Sequence, residues 1–342
     1  MDSDYQFMLR ALTLASKGGR SVMPNPFVGA VIVHNGVIIG EGFHKVCGEA
    51  HAEVEAVRSV QNPAFLSEST LYVTLEPCAH FGRTPPCTTL ILESQIPRVV
   101  IGCRDPFPRV DGKGIQILEQ AGVSVQVGVL EDECLALNKR FITAHQKKRP
   151  FIILKWAETS DGFIARADGS SKWISSEASR TLVHQWRAEE MSILVGSTTA
   201  VCDDPHLTVR HTPGQNPLRL VIDRTRSLPP SLHLFDVEAA TWIFNEGVDE
   251  CDGKNRFIKC DFSKSIIAQI LAALHAEGIL SIIVEGGSRT IASFLNEGLW
   301  DEARVFRAPV TFHSGIAAPS MNCEPFEVEA SGVDQLVYYR KA

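Results

Sequence analysis

Apolar residues recur at helical spacing over residues 3–17 (Phe7, Leu9, Leu12, Ala15) and stop at Gly18-Gly19, which predicts an amphipathic first helix. Two β-branched runs follow in VGAVIVHNGVIIGEGFH. They are joined by Asn35-Gly36, the pair a type I′ turn favours, so the stretch reads as a hairpin. Residues 51–60 return to helical spacing, and TLYVTL (70–75) is an apolar strand that runs straight into Glu76-Pro77-Cys78. A helix near Cys87–Glu93, a strand at 98–103, a helix at Gly112–Ala121, a strand at 123–129 and a helix at 131–146 complete this series. HQKKRP (145–150) is basic, polar and closed by proline, which suits a linker. A fresh apolar strand, FIILKWA (151–157), then opens a second series. It contains helices at 175–189, 264–277 and about 289–297, with strands at 192–196, 218–223, 241–245, 281–287, 302–310 and 336–340. Strands alternating with helices indicate layered α/β structure. Two α/β domains are expected, residues 1–146 and 147–342.

Composition agrees and narrows the classes. A chain of 342 residues exceeds what one core usually supports, and 44% hydrophobic with 21% charged residues is ordinary for globular protein. The net charge of −7 lacks the basic footprint of a nucleic-acid binder. The N-terminus has two early acids and no uninterrupted apolar run, so it does not read as a signal peptide. No apolar stretch reaches the ~18 residues of a membrane span. Nine cysteines without paired spacing suit reduced thiols in a cytoplasmic protein better than a disulfide scaffold.

Candidate chemistry concentrates in the first half. His51-Ala52-Glu53 opens a predicted helix, and Pro77-Cys78 and Cys87 follow downstream. Catalytic zinc wants three protein ligands and an open position for water. One imidazole and two thiolates supply that set and neutralise the ion, whose bound water is acidified towards neutrality. Glu53, two residues from the histidine, then serves as the proton shuttle from water to a leaving ammonia. It is not a ligand. These residues predict a zinc-dependent deaminase of an amino-substituted, nucleobase-like ring. The competing possibility is a closed structural site, with Cys47 or His44 as fourth ligand. The two cysteines are nine residues apart rather than three, and the intervening segment carries His80, Arg83 and Thr84, polar groups suited to a phosphorylated substrate. The other cysteines (Cys47, Cys103, Cys134, Cys202, Cys251, Cys260, Cys323) read as structural.

The motifs PNPFVGAVIV (24–33), GEAHAEVEA (48–56), TLEPCAHFGRTPPC (74–87) and DPFPRVDGKGI (105–115), with LKWAETSDGFIA (154–165), SKWISS (171–176), DDPHLTVR (203–210) and VEGGSRTIASFL (284–295), together resemble the bifunctional riboflavin-biosynthesis deaminase–reductases over nearly the whole chain. The resemblance implies a cytidine-deaminase-like three-layer α/β/α domain followed by a dihydrofolate-reductase-like α/β domain. It also implies two consecutive reactions. The first domain deaminates a diaminopyrimidinone bearing a phosphoribosylamino group, and the second uses NADPH to reduce the ribosyl unit to ribityl. Partners are then phosphorylated pyrimidines, with no nucleic acid and no membrane, in a homo-oligomer (dimer or tetramer). Carried over to matching positions, Asn25, His44, His80, Arg83 and Asp105 hold the pyrimidine. Phe107 and Asp111 depart from the family pattern, which has Asn and Ala there.

In the second half, Gly286-Gly287 lies between a predicted strand and a helix start, where bare backbone N–H groups suit a cofactor phosphate. A glycine turn that only lets helix and sheet approach is the plainer alternative. The resemblance places Lys155, Ser171, Arg187, Leu207, Arg210 and Glu285 at the substrate. It places Glu158, Trp173, Thr199, Asp203 and the run Gly287, Ser288, Arg289, Thr290, Ile291, Ala292 and Ser293 at the cofactor. Guanidinium forks suit a phosphate ester, although Arg187 and Arg210 also fit surface ion pairs. Lys155 sits in an apolar strand and needs a partner, for which Asp161 and Asp203 are the candidates in sequence. Two other classes compete: a deaminase of tRNA or nucleosides with an inert second domain, and a scaffold in which zinc only stabilises the fold.

Overall fold

The computed structural model describes residues 3–79, 81, 85–107, 110–171 and 174–341, and the chain divides into two compact units, Met1–Lys148 and Arg149–Ala342. In the first unit, strands β1 (Gly29–His34), β2 (Val37–Phe43), β3 (Thr70–Leu75), β4 (Arg98–Cys103) and β5 (Ser124–Val127) form a sheet of order β2-β1-β3-β4-β5. Both faces of it are buried, because alternate strand residues feed two cores. Ala30, Ile32, Leu71, Val73, Val99 and Ile101 pack on one side against helices α2 (Ala52–Ser59), α3 (Cys87–Glu93) and α4 (Lys113–Gln120). Val31, Val33, Tyr72 and Val100 pack on the other against α1 (Ser3–Ala15) and α5 (Glu131–Leu137). This is a three-layer α/β/α arrangement. The predicted hairpin is present, with Asn35 and Gly36 both at positive φ (49° and 78°) as its turn requires.

The predicted helix 131–146 is two helices, α5 and α6 (Lys139–Lys147), broken at Asn138. The Asn138 side chain leaves the helical ladder to bond the Phe27 backbone at both ends, accepting from its N–H (2.8 Å) and donating to its carbonyl (2.9 Å). Helix α6 also runs into the predicted linker, ending where Lys148 turns left-handed (φ 54°).

The second unit contains β6 (Phe151–Thr159), β7 (Phe163–Ala165), α7 (Glu177–Glu189), β8 (Ser192–Gly196), α8 (Ser197–Asp203), β9 (Leu218–Ile222), β10 (Thr241–Asn245), β11 (Glu250–Asp252) and β12 (Asn255–Lys259). There follow α9 (Ile266–Ala276), β13 (Ser281–Val284), α10 (Ser288–Asn296), β14 (Glu302–Ala308), β15 (Ile316–Ala317), β16 (Glu327–Ser331) and β17 (Asp334–Arg340). Its main sheet has the order β11-β12-β10-β9-β8-β13-β6-β14-β17-β16, and the strands from β12 to β14 are parallel. Ile152, Leu154 and Val284 face α9 and α10, while Ile153 and Ile283 face α7. Strand β13 returns to lie between β8 and β6, so its C-terminal end opens where the winding direction of the sheet reverses. Ligand crevices of parallel sheets form at such points. Strands β11, β12 and β16 are absent from the sequence reading: β11 and β12 carry no apolar alternation, and the alternation of β16 (Val328, Ala330) is only two apolar residues long. β11 is exposed throughout and β16 nearly so.

Candidate active sites

In the first unit, backbone contact positions the start of α2. A Cβ on Gly42 would lie 2.4 Å from the Ala56 nitrogen and 2.5 Å from the Ala52 carbonyl oxygen, so only glycine lets β2 approach this closely. His51 is the N-cap residue of α2, and Glu53 lies in its first turn. Cys78 follows the end of β3, and Cys87 is the first residue of α3. The ligand atoms of His51, Cys78 and Cys87 all lie within 4.8 Å of one another. His51 Nδ1 is 3.2 Å from Cys87 Sγ and 3.6 Å from Cys78 Sγ. A tetrahedral zinc with ordinary bond lengths separates nitrogen and sulfur ligands by about 3.6 Å. The residues therefore fit the ion. The Cys87 N–H, at a helix start, donates to Cys78 Sγ (3.3 Å). The Cys87 side chain and, against burial, the His51 imidazole hold the Cys78 thiol down at about 4, the thiolate state a metal needs.

His44 is not a fourth ligand. Its Nδ1–H donates to the Ala50 carbonyl (2.9 Å), leaving Nε2 to accept from the Asn25 amide (3.0 Å), and its ring stands edge-on to His51. Burial keeps this imidazole neutral by lowering its pKa. Among the described residues Cys47 does not join the ligand group either. Glu53 is 3% exposed, and burial, followed by the Cys78 charge, pushes its carboxyl upward.

Glu76 had no role in the sequence reading, yet it organises the loop facing this site. Its buried carboxylate accepts backbone N–H groups from Asp105 (3.4 Å), Gly112 (3.0 Å), Gly114 (3.0 Å) and Ile115 (3.3 Å). It thereby caps α4 and ties Asp105 and Gly112 to the strand that delivers Cys78. The signal available in sequence was an acid at the end of a buried strand, which must find donors. Asp105 accepts from the Phe107 N–H (2.8 Å), and burial, then the charges of Glu76 and Cys78, push its carboxyl up to about 7. A carboxylate is the form that accepts from a ring amine. With Asp105 at the pyrimidine, as the resemblance implies, the deaminase KM is expected to fall as pH rises through about 7, and Asp105→Asn is expected to flatten that limb. A wild-type KM without an inflection there removes Asp105 from the binding site. Phe107 packs edge-on against His145 (5.1 Å). His80 and Arg83 lie outside the described residues, as does Trp173.

In the second unit the expected partner of Lys155 is corrected. Asp161 is engaged by the Thr159 hydroxyl and the His313 N–H, and Asp203 by the Ser171 hydroxyl (3.1 Å). Lys155 instead faces Glu285 at 3.7 Å. Leu154 pairs with Val284 on adjacent parallel strands, so the next residue along each emerges beside the other. Arg187 is 8% exposed and forks onto the same carboxylate through Nε (3.0 Å) and Nη2 (2.8 Å), with Nη1 on the Thr208 carbonyl. Its charge is thus committed to a buried pair, whereas the Arg210 guanidinium is exposed. Burial alone would raise Glu285, but Arg187 and Lys155 bring it down to about 2. Burial lowers Lys155. His184, one turn before Arg187 on α7, was missed by the sequence reading. Its Nδ1 accepts the Arg210 N–H (3.2 Å), and burial, then Arg187, hold it at about 4.

Around the glycine turn, the Gly287 N–H donates to Thr199 Oγ1 (2.9 Å). A Cβ on Gly286 would sit 2.9 Å from that of Thr290. The first-turn amides of Ser288 and Arg289 at the start of α10 have no intrahelical partner to bond, as in any helix. Ile291 is buried in the core, and Ser293 bonds the Arg289 carbonyl. Leu207 is also a core side chain, at φ 52°, so only its backbone can meet a ligand. Glu158 accepts from Trp156 Nε1 (2.9 Å) and Arg307 Nε (2.8 Å).

Comparison with known proteins joins the two halves. Residues 1–103 match the cytidine and deoxycytidylate deaminase zinc-binding region, and residues 150–328 match the RibD C-terminal domain. The riboflavin biosynthesis protein RibD of Aquifex aeolicus is 41% identical over 354 aligned positions, covering 99% of this chain and 98% of that protein. RibD of Escherichia coli is 38% identical over 90% of this chain and 88% of its own. The crystal structure of a diaminohydroxyphosphoribosylaminopyrimidine deaminase/5-amino-6-(5-phosphoribosylamino)uracil reductase from Thermotoga maritima superposes with a TM-score of 0.91 at 39% identity, covering 99% of both chains. The chain belongs to the RibD family, the bifunctional deaminase–reductases of riboflavin biosynthesis.

Proposed function

We propose that the first unit deaminates 2,5-diamino-6-(5-phosphoribosylamino)pyrimidin-4-one and that the second reduces the ribosyl group of the product to ribityl with NADPH. The observation that carries the first step is the convergence of His51, Cys78 and Cys87 within 4.8 Å, with Glu53 buried two residues from the histidine. His51 Nδ1 and the two sulfurs hold one zinc, which when bound supplies a water acidified towards neutrality. Glu53 takes a proton on its carboxylate and returns it to the departing ammonia. Asn25 fixes the neutral His44, and Glu76 sets the backbone of Asp105, so both polar groups meet the pyrimidine pre-oriented.

For the reduction, the first-turn amides of Ser288 and Arg289, which follow the side-chain-free Gly286-Gly287 turn, fit a cofactor phosphate, and NADPH when bound supplies the hydride. Lys155, beside Glu285 at the end of β13, faces the sugar, and Arg210 meets the substrate phosphate. Purified protein given the diaminopyrimidine substrate should release ammonia and then oxidise NADPH. Oxidation without ammonia release refutes the order. Two variants separate the ligands. Gly287→Val should weaken NADPH binding roughly tenfold or more, and Arg210→Ala should raise the substrate KM roughly 10- to 150-fold at unchanged NADPH affinity. The reverse pattern exchanges the two ligand positions.

A further inference from the structure

Among the described residues a second set of metal-ligating side chains converges, on the reductase unit. His206, Asp236 and Glu238 place one ligand atom each within 4.8 Å of the others. His206 Nδ1 lies 3.9 Å from Asp236 Oδ2 and 3.7 Å from Glu238 Oε2. These separations are too long for hydrogen bonds. They suit two ligands on one ion, since bonds of about 2.0–2.2 Å put neighbouring ligands roughly 3–4 Å apart. His206 Nδ1 is itself shielded from solvent and has no hydrogen-bond partner. A shielded ring nitrogen left unpaired is costly, and a cation between the three groups would satisfy it.

The surroundings hold Asp236 and the His206 ring as the outer shell of a metal site does. Asp236 has its other oxygen, Oδ1, engaged by Arg219 Nη1 (2.8 Å) and the Glu238 N–H (2.9 Å), which leaves Oδ2 directed to His206. Arg219 is fully buried on β9 and also donates to the carbonyls of His233 (2.8 Å) and Asp236 (3.0 Å). The His206 ring packs at a tilt against that of His233 (3.8 Å), and His233 is held by Asp204 (2.8 Å). Asp204, Asp236 and Glu238 against Arg219 leave a net charge that a divalent cation cancels.

We propose that His206, Asp236 and Glu238 form a second cation site, for zinc or another borderline first-row divalent ion, separate from the deaminase centre. One imidazole with two carboxylates selects that class over soft ions or an all-oxygen site. An ion there ties the segment from Asp204 to Arg210, with its left-handed residues Asp204 (φ 38°) and Leu207 (φ 52°), to the 233–238 loop. It would brace the stretch that carries Arg210.

The test is zinc content of the full chain after equilibrium dialysis against micromolar free Zn2+. Wild type should retain two ions per chain. His206→Asn should retain one, and so should Cys78→Ser/Cys87→Ser, which empties the other centre. Glu238→Gln, at a half-exposed position, provides a second variant should His206→Asn fail to fold, and it should likewise retain one. A wild type that holds one ion or none, or a folded His206→Asn that still holds two, overturns the proposal.

Discussion

Glu53→Gln is expected to lower deamination by about 10²–10⁴-fold while zinc content and reduction of the deaminated intermediate stay at wild-type levels. The substitution keeps the volume of a side chain that is 3% exposed, and it leaves His51, Cys78 and Cys87 untouched. What it removes is a carboxylate in the first turn of α2, positioned by the same helix start that positions His51. Burial raises this carboxyl above its ordinary range, which favours a group that must take up a proton and hold it briefly. Ammonia release, metal content and NADPH oxidation measured on one preparation separate the possible roles. Loss of zinc together with activity would make Glu53 a support for the ligands. A near wild-type rate would remove it from proton transfer. Loss of reduction as well, in a folded chain, would mean that the two units of the protein do not work independently.

The deaminase centre was legible in sequence because its chemistry is local. His51 and Glu53 share a helix start, and Cys78 and Cys87 flank one short segment, so ligand types and spacing alone predicted the cluster that forms. The Asn35-Gly36 turn was legible for a similar reason, since only a few residue pairs accept two positive φ angles. The reductase partners were not. Lys155 meets Glu285 because β13 inserts between β8 and β6, a register no local pattern encodes, and the sequence-near Asp161 and Asp203 are engaged elsewhere. Glu76 escaped notice because its four donors are backbone N–H groups, which have no sequence signature. Asn138 likewise breaks a helix through bonds to Phe27 that only the folded chain brings near.

Arg187→Ala is expected to act first on stability and only secondarily on substrate affinity. The sequence alone allowed a free guanidinium awaiting a phosphate. In the fold Arg187 is 8% exposed, and two of its nitrogens bind the Glu285 carboxylate at 3.0 and 2.8 Å. Removing one partner of a buried pair typically costs about 3–5 kcal/mol, because the other charge stays buried without compensation. Lys155, at 3.7 Å, compensates only in part. For a unit of this size that loss corresponds to a Tm decrease of roughly 6–20 °C. The pH dependence provides an independent check. The folded pKa of Glu285 is depressed from 4.5 to about 2, so its contribution is fully present above the unfolded value and is lost as pH falls from about 4.5 towards 2. The shift corresponds to about 3 kcal/mol, in line with the cost of breaking the pair. The fall in wild-type stability over that window should therefore be steeper than that of Arg187→Ala, and Arg187→Ala/Glu285→Gln should recover part of the lost Tm. If Arg187→Ala melts with wild type and instead raises the reductase KM roughly 10- to 150-fold, the guanidinium serves the substrate phosphate, and its pairing with Glu285 gives way when substrate binds.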